Sequence, residues 1–325
     1  MKKYLIHLES KSDITLFPDS QKIFGWLISK IYKDNEESDV TKLVNDIFEK
    51  NVKCMISNVL PKEYIPLSKE WLIKILSEKI EDEARKKKIY EKIKKIDFIK
   101  KIDLKSLINM SVNLVEDDKN LVKFDKYLTK NQSYIQKFRL DEQYYNLPGL
   151  LNKAYTVPVI EIINQNTKEP VKEFMIMIKT DSPVIIKWLE KNKDICIEEF
   201  LGSKGTQGYN IFMRKGITFE EEDEYKSKND LYLNMGMLLP EYIIYNKSYI
   251  DLYTSDRKSF EITEKIKKVI GFINSGSLIC SEKEVFEIGK NIKNKYNIVH
   301  KNAIIFGNSY LESFDIENFG GENGE

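Results

Sequence analysis

Residues 3–9 alternate in polarity, with Tyr4, Ile6 and Leu8 on one face, and a helical period then takes over through Ile23, Phe24, Leu27, Ile28 and Ile31. The same change of period recurs at 173–191. There Glu173–Ile178 reads as a strand, and Ser182-Pro183 opens a helix with Ser as cap and Pro at the first helical position. Each strand–helix pair is followed by another strand pattern, Cys54–Ser57 after the first and about 211–219 after the second. With a further strand at Val157–Ile163, the order is strand, helix, strand, insertion, strand, helix, strand. That is the βαββαβ, ferredoxin-like (RRM-like) arrangement with a large insertion in its middle.

The fold class expected is therefore α+β, with two ferredoxin-like domains. Residues 1–225 form the first, with the insertion at about 58–150 and a glycine-rich loop at 202–209. Residues 226–325 form the second and end in a frayed Gly/Asn/Glu-rich tail. Asp19 or Ser20 can cap the first helix, and a second amphipathic segment covers about Thr41 to Glu49. Leu60-Pro61 and Ile65-Pro66 must be extended because of their prolines. The stretch 68–109 reads as helical and heavily charged, and 121–139 as polar and irregular. In the second half, strands are expected at 231–239, 242–246, 249–253, 277–281 and 303–307, and a helix at 261–269.

Charge gives only an indirect hint of a partner. The net charge is +1 over 325 residues, so any nucleic-acid affinity must come from locally gathered groups. Basic residues are nearly all Lys, with Arg confined to positions 85, 139, 214 and 257. The basic run from Arg85 to Lys101 reads better as a solvated helix face than as a specific contact. Cys54, Cys196 and Cys280 lie far apart and have no ligand spacing, which suits free thiols in a reducing cytoplasm. The start, MKKYLIHLES, has too short an apolar run for a signal-peptide core, and no run approaches the length of a membrane span. A cytoplasmic protein without membrane contact is expected.

The most unusual stretch is Phe200-Leu201-Gly202-Ser203-Lys204-Gly205-Thr206-Gln207-Gly208-Tyr209-Asn210. Glycines let backbone N–H groups approach a phosphate closely, Lys204 adds charge, and Thr206 and Gln207 add neutral donors. A phosphate-binding P-loop is excluded, because no Gly-Lys-Ser/Thr follows at the required spacing and the loop leads into a strand. A dinucleotide fingerprint fails for lack of a strand-to-helix transition. Two readings remain on the residues alone: a clamp on a nucleic-acid backbone, or a plain helix-to-strand connector.

The helix, loop and strand at 182–219 resemble the diagnostic glycine-rich loop of the RAMP superfamily of CRISPR proteins. Gly202, Lys204, Thr206, Gly208 and Tyr209 fit its pattern, and Asn210 stands where a final glycine is usual. Asn is the residue after glycine that best tolerates left-handed backbone angles. Within that superfamily the chain resembles the fourth-subunit family of the type III-A (Csm) effector complex. Phe17 to Gly25, Lys94 to Ile99 and Thr129 to Leu140 carry that resemblance, in order along the chain. The equivalent subunits of type III-B or type I complexes, and a ferredoxin-like protein–protein scaffold without RNA contact, stay open as alternatives.

The resemblance implies a non-catalytic subunit that binds the 5′ handle of the guide crRNA. It would join the large polymerase-like subunit and the repeated backbone RAMP subunit in antiviral defence, meeting target RNA only indirectly. It implies RNA contacts from Gly202, Ser203, Lys204, Gly205, Thr206, Gln207, Gly208 and Tyr209. Lys130, Asn131, Gln132, Lys137 and Arg139 would act as a thumb, and Ser20, Gln21 and Lys22 would receive a phosphate at the first helix N-terminus. No cofactor and no metal is expected. Only two histidines, His7 and His300, are present; neither lies in a suggestive cluster, and Ser and Thr lack a His partner at motif spacing, so no catalysis is expected.

Overall fold

The computed structural model describes residues 1–78, 82–104, 126–136, 155–202, 205–220, 230–255, 270–293 and 304–314. The chain begins with strand β1 (Lys2–Ser10), helices α1 (Ser20–Asp34) and α2 (Glu37–Phe48), and strands β2 (Cys54–Ile56), β3 (Leu60–Pro61) and β4 (Tyr64–Pro66). Helices α3 (Lys69–Glu78) and α4 (Glu83–Ile93) follow, then strands β5 (Phe98–Lys100), β6 (Lys126–Gln136), β7 (Tyr155–Asn164) and β8 (Glu173–Thr180). Helix α5 (Pro183–Lys191) and strands β9 (Ile197–Phe200) and β10 (Ile211–Glu220) complete the first half.

The main sheet runs β2-β8-β1-β10-β9, with β3 added to β8, and its pairings are antiparallel. Its first four strands stand in the order produced by a βαββαβ chain path: the first strand at the centre, the third beside it, the second and fourth outside. The periodicity that specified the order also specified the inner face. Tyr4, Ile6 and Leu8 are buried against Ile23, Leu27 and Ile31 of α1, Leu43 and Ile47 of α2, and Ile185 and Leu189 of α5. Asp19 caps α1, accepting the Lys22 N–H at 3.0 Å, and Ser182 caps α5, accepting from Ile185.

The opposite face of the sheet is covered over part of its width. Leu5, Met175 and Met177 point into a second core, built from Trp71 and Leu72 of α3, Ile89 and Ile93 of α4, and Leu233, Leu278, Tyr310 and Phe314 from the C-terminal half.

Two expectations for the insertion need correction. The stretch 68–109 is not continuously helical: α4 ends at Ile93, and Phe98–Lys100 is a strand that pairs with both β4 and β6. Burial of Ile96 and Ile99 in the second core terminates the helical run there. The stretch 121–139 is not irregular either. Residues 126–136 form β6, paired with β7 from Tyr127↔Asn164 to Gln136↔Tyr155. Ladder hydrogen bonds to an apolar partner strand hold this polar sequence extended.

The C-terminal half supplies β11 (Leu231–Asn234), β12 (Leu252–Ser255), β13 (Ile270–Ile273), β14 (Leu278–Cys280), β15 (Ile292–Lys293), β16 (Ile304–Ile305) and β17 (Leu311–Ser313). The sheet order β14-β11-β17 is antiparallel, and β12 pairs with β13. The strand expected at 242–246 is instead a 3-10 turn at Tyr245–Lys247. The helix expected at 261–269 and the acidic tail lie outside the described residues. The halves are stitched through main-chain bonds: Ile56 donates to Asn308 (3.2 Å), Tyr310 to Ile56 (3.0 Å) and Asn58 to Met235 (2.9 Å). Gly236 sits in that seam, where a Cβ would lie 2.8 Å from the Ile56 carbonyl oxygen.

Candidate nucleic-acid interface

The glycine-rich loop leaves β9, turns once as a 3-10 helix at Gly205–Gln207 and enters β10. Three residues of it have left-handed φ angles: Gly202 (+119°), Gly208 (+84°) and Asn210 (+56°). Asn210 therefore occupies the backbone conformation for which a glycine would be the default. It is also fully buried and does what a glycine could not. Its Oδ1 accepts the Thr15 N–H at 2.9 Å and its Nδ2 donates to Thr15 Oγ1 at 2.9 Å; its main-chain N–H, as a glycine's would, donates to the Asp13 carbonyl at 2.9 Å. Ile211 donates its N–H to Ser12 Oγ, also at 2.9 Å.

This staple fixes the loop against residues 12–15, in the connection between β1 and α1. The same connection meets β7: Ile14 and Ile160 form an antiparallel bridge, with Ile160 donating to the Ile14 carbonyl at 2.7 Å. Ile160 stands opposite Asn131 in the β6–β7 ladder, flanked by the pairs Lys130↔Glu161 and Gln132↔Val159. The chain thus gathers two distant motifs, 130–132 and 202–210, around one short segment. Neither Thr15 nor Ile14 was singled out by sequence, and nothing local marks them; their role comes from long-range pairing.

Among the predicted site residues, Gly202, Gln207 and Gly208 are exposed. No hydrogen bond among the described residues uses the backbone N–H of the exposed Gly202, which can face a ligand anion, whereas the Gln207 N–H lies inside the 3-10 turn. Tyr209 is only 8% exposed, which makes it a support of the loop rather than a contact surface. Ser203, Lys204, Lys137 and Arg139 lie outside the described residues, as does His300. For Lys130, Asn131, Gln132 and Thr206 the backbone alone is placed.

At the N-terminus of α1 the expectation of free N–H groups is corrected. Ser20 is buried, donates its N–H to Asn58 Oδ1 (2.8 Å) and accepts the Met237 N–H on its Oγ (3.0 Å). The Lys22 N–H is taken by Asp19, and the Lys22 ammonium is paired with the same carboxylate at 3.1 Å. Asp19 fills the position an anion would take, and Ser20 ties the helix start to the C-terminal half. Gln21 is half-buried beside them.

Below the loop, the hairpin β9–β10 is anchored by buried charge. Glu199 accepts from the Trp26 indole N–H (3.0 Å), pairs with Lys30, and lies 3.4 Å from Arg214 Nε. Arg214 also donates to the carbonyl of Asn192 (3.0 Å) and lies over the Trp188 ring. At the mouth of the loop segment, Glu9 is paired with Lys11 (2.7 Å) and Lys215 (2.5 Å). These hydrogen bonds draw its carboxyl down to about 2 and pair both lysines with a counter-charge. His7, on the open face of β1, bonds Thr218 Oγ1 at 2.9 Å. No group of three or more His, Cys, Asp or Glu able to hold a metal ion occurs among the described residues. None of the described helices is long and apolar enough to cross a membrane.

The antiparallel βαββαβ sheet, with its fourth strand entered through a glycine-rich loop, is a fold found in solved structures. Solved structures similar to this chain include Csm4 chains. One comes from a Csm3-Csm4 subcomplex of the type III-A CRISPR-Cas interference complex, with TM-score 0.56 and 16% identity, over 97% of this chain and all of that one. Another comes from a Csm1-Csm4 cassette in complex with cA4, with TM-score 0.55 and 12% identity, covering 96% and 98% of the two chains. The same cassette with pppApA matches at TM-score 0.53. No protein-family model and no curated protein matches in sequence.

Proposed function

We propose that the chain is the Csm4-like subunit of a type III-A CRISPR ribonucleoprotein and binds the 5′ handle of its guide RNA without catalysing a reaction. It bridges a Csm1-like large subunit to Csm3-like backbone subunits. The observation that carries the RNA-binding part is the convergence at residues 12–15. There the glycine-rich loop and the 130–132 stretch of β6 are tied to one segment through Asn210–Thr15 and Ile160–Ile14. The loop offers backbone N–H groups to phosphates, and the β6–β7 hairpin is the thumb that separates guide nucleotides. Likeness over nearly the whole length to Csm4 chains in complexes with Csm1 and with Csm3 supports the partners. Residues 1–225 form the RNA-gripping unit, and 226–325 a second ferredoxin-like unit packed on it.

With a near-neutral net charge, tight RNA binding is expected of the assembled complex more than of this subunit alone. The test is to co-express the chain with its large and backbone partners, isolate the complex and sequence the RNA that co-purifies. Molecules sharing one repeat-derived 5′ end support the reading. An assembled complex with random RNA, or with none, overturns it in favour of a protein scaffold.

A further inference from the structure

Phe200 is the last residue of β9 and directly precedes the glycine-rich loop, yet it is 54% exposed. Its direction follows from register. Glu199 pairs with Phe212, and both are buried on the helix-covered face, so Phe200 and its partner Ile211 point to the opposite, open face. The second core covers that face near β8, through Met175 and Met177, whereas Phe200 remains exposed at the β9 edge. One side of the ring is in contact with the loop: a Cβ on Gly205 would lie 2.8 Å from a ring carbon. The 3-10 turn therefore rests on the phenyl ring, and only glycine allows so close an approach.

A large aromatic side chain left in water beside a loop that holds phosphates, as proposed above, has a specific use. Phosphate contacts hold a strand in place, and the adjoining base needs a flat apolar surface once it is unstacked. Phe200 supplies that surface on the loop side, and the exposed Leu16, whose carbonyl lies beside Gly202, borders the loop from the other.

We propose that Phe200 is a base-stacking platform for single-stranded RNA held by the glycine-rich loop, accepting one nucleotide base without regard to its identity. This rests on the RNA-binding reading above and names the residue that contacts the base. Stacking carries no net charge, so its loss lowers affinity without changing the number of phosphates neutralised.

The test measures binding of a short fluorescein-labelled single-stranded RNA by the assembled complex stripped of guide, at several salt concentrations. Wild type, Phe200→Ala, Phe200→Leu and Phe200→Trp are compared. Phe200→Leu keeps apolar packing on Gly205 but has no aromatic face. The expected result is a loss of about tenfold or more for both Ala and Leu at each salt concentration. The log–log salt slope stays that of wild type, and Phe200→Trp retains binding with indole emission quenched by RNA. Wild-type affinity in Phe200→Leu overturns the stacking role while leaving RNA binding intact. Loss of subunit association in Phe200→Ala with unchanged RNA affinity also overturns it, and assigns the ring to a protein contact. Absence of RNA binding by wild type itself brings down the RNA-binding reading and this inference together.

Discussion

Asn210 and Thr15, 195 residues apart in sequence, form a reciprocal pair in which one amide satisfies both the N–H and the hydroxyl of its partner, each at 2.9 Å. The pair sits where a left-handed backbone angle is required, so one side chain meets a conformational and a hydrogen-bonding demand together.

Two substitutions separate those demands. Asn210→Gly keeps the φ angle accessible but leaves the buried Thr15 N–H without an acceptor, for a cost of about 1–3 kcal/mol. Asn210→Ala adds the left-handed penalty, about 1–2 kcal/mol more. Urea unfolding should therefore rank wild type above Gly and Gly above Ala, with unchanged m-values. Equal stability of Gly and wild type would show that the staple contributes nothing.

Glycines 205 and 208 should fail for different reasons. At Gly208 a Cβ meets nothing within 4 Å, but φ is +84°, so Gly208→Ala strains the backbone by about 1–2 kcal/mol. At Gly205 the space is filled by Phe200, whose exposed ring can swing away. Gly205→Ala should therefore change stability by less than about 1 kcal/mol, within the range of tolerated exposed sites. It should nonetheless weaken RNA binding by displacing that ring. Comparing melting curves with RNA titrations for the two variants separates these effects. A Gly205→Ala protein that unfolds early would place the ring in a structural role.

How much of this was legible in the sequence depended on where each element finds its partners. β1, α1 and α5 each turn an apolar face to the first core, so Tyr4, Ile6 and Leu8, or Ile185 and Leu189, carry the pattern themselves. β6 could not be read that way. Lys126–Gln136 is polar on both faces and is extended because β7 supplies ladder partners along its length. β9 was missed for a related reason: Glu199 takes the inward position an apolar residue would hold, and only Trp26, Lys30 and Arg214, all distant in sequence, make that burial tolerable. Sequence alone does not show that Ser20 is already hydrogen-bonded at both its N–H and its hydroxyl, because Asn58 and Met237 reach it from other parts of the fold.

The buried network under the loop gives a strong stability prediction. Arg214→Met removes the guanidinium but leaves Glu199 with Lys30 and Trp26 as partners, so the charge is not abandoned. The Asn192 carbonyl, which accepts from Arg214 at 3.0 Å, loses that donor. A cost of about 2–4 kcal/mol is expected, at or below the usual range for breaking a buried pair. Glu199→Gln in the same background should recover little, because Lys30 would then lose its counter-charge. Recovery to wild-type stability in the double variant would mean that Glu199 and Arg214 act only on each other.

His7 should make the fold acid-sensitive in a defined direction. Burial, with help from the nearby Lys62, holds its pKa below the ordinary 6.5, and Glu220 and Glu173 oppose that shift without reversing it. The unfolded chain therefore takes up a proton first as pH falls. The stability associated with neutral His7 is whole above pH 6.5 and is lost as pH drops through the lower folded-state value. His7→Gln can keep a hydrogen bond to Thr218 but does not titrate. Urea midpoints at pH 7.5, 6.5 and 5.5 should show wild type losing ground to the variant as acidity increases, the difference cancelling every other titrating group to first order. A wild type that gains on the variant instead would mean that the carboxylates of Glu173 and Glu220 govern the imidazole, and that His7 is folded as a cation.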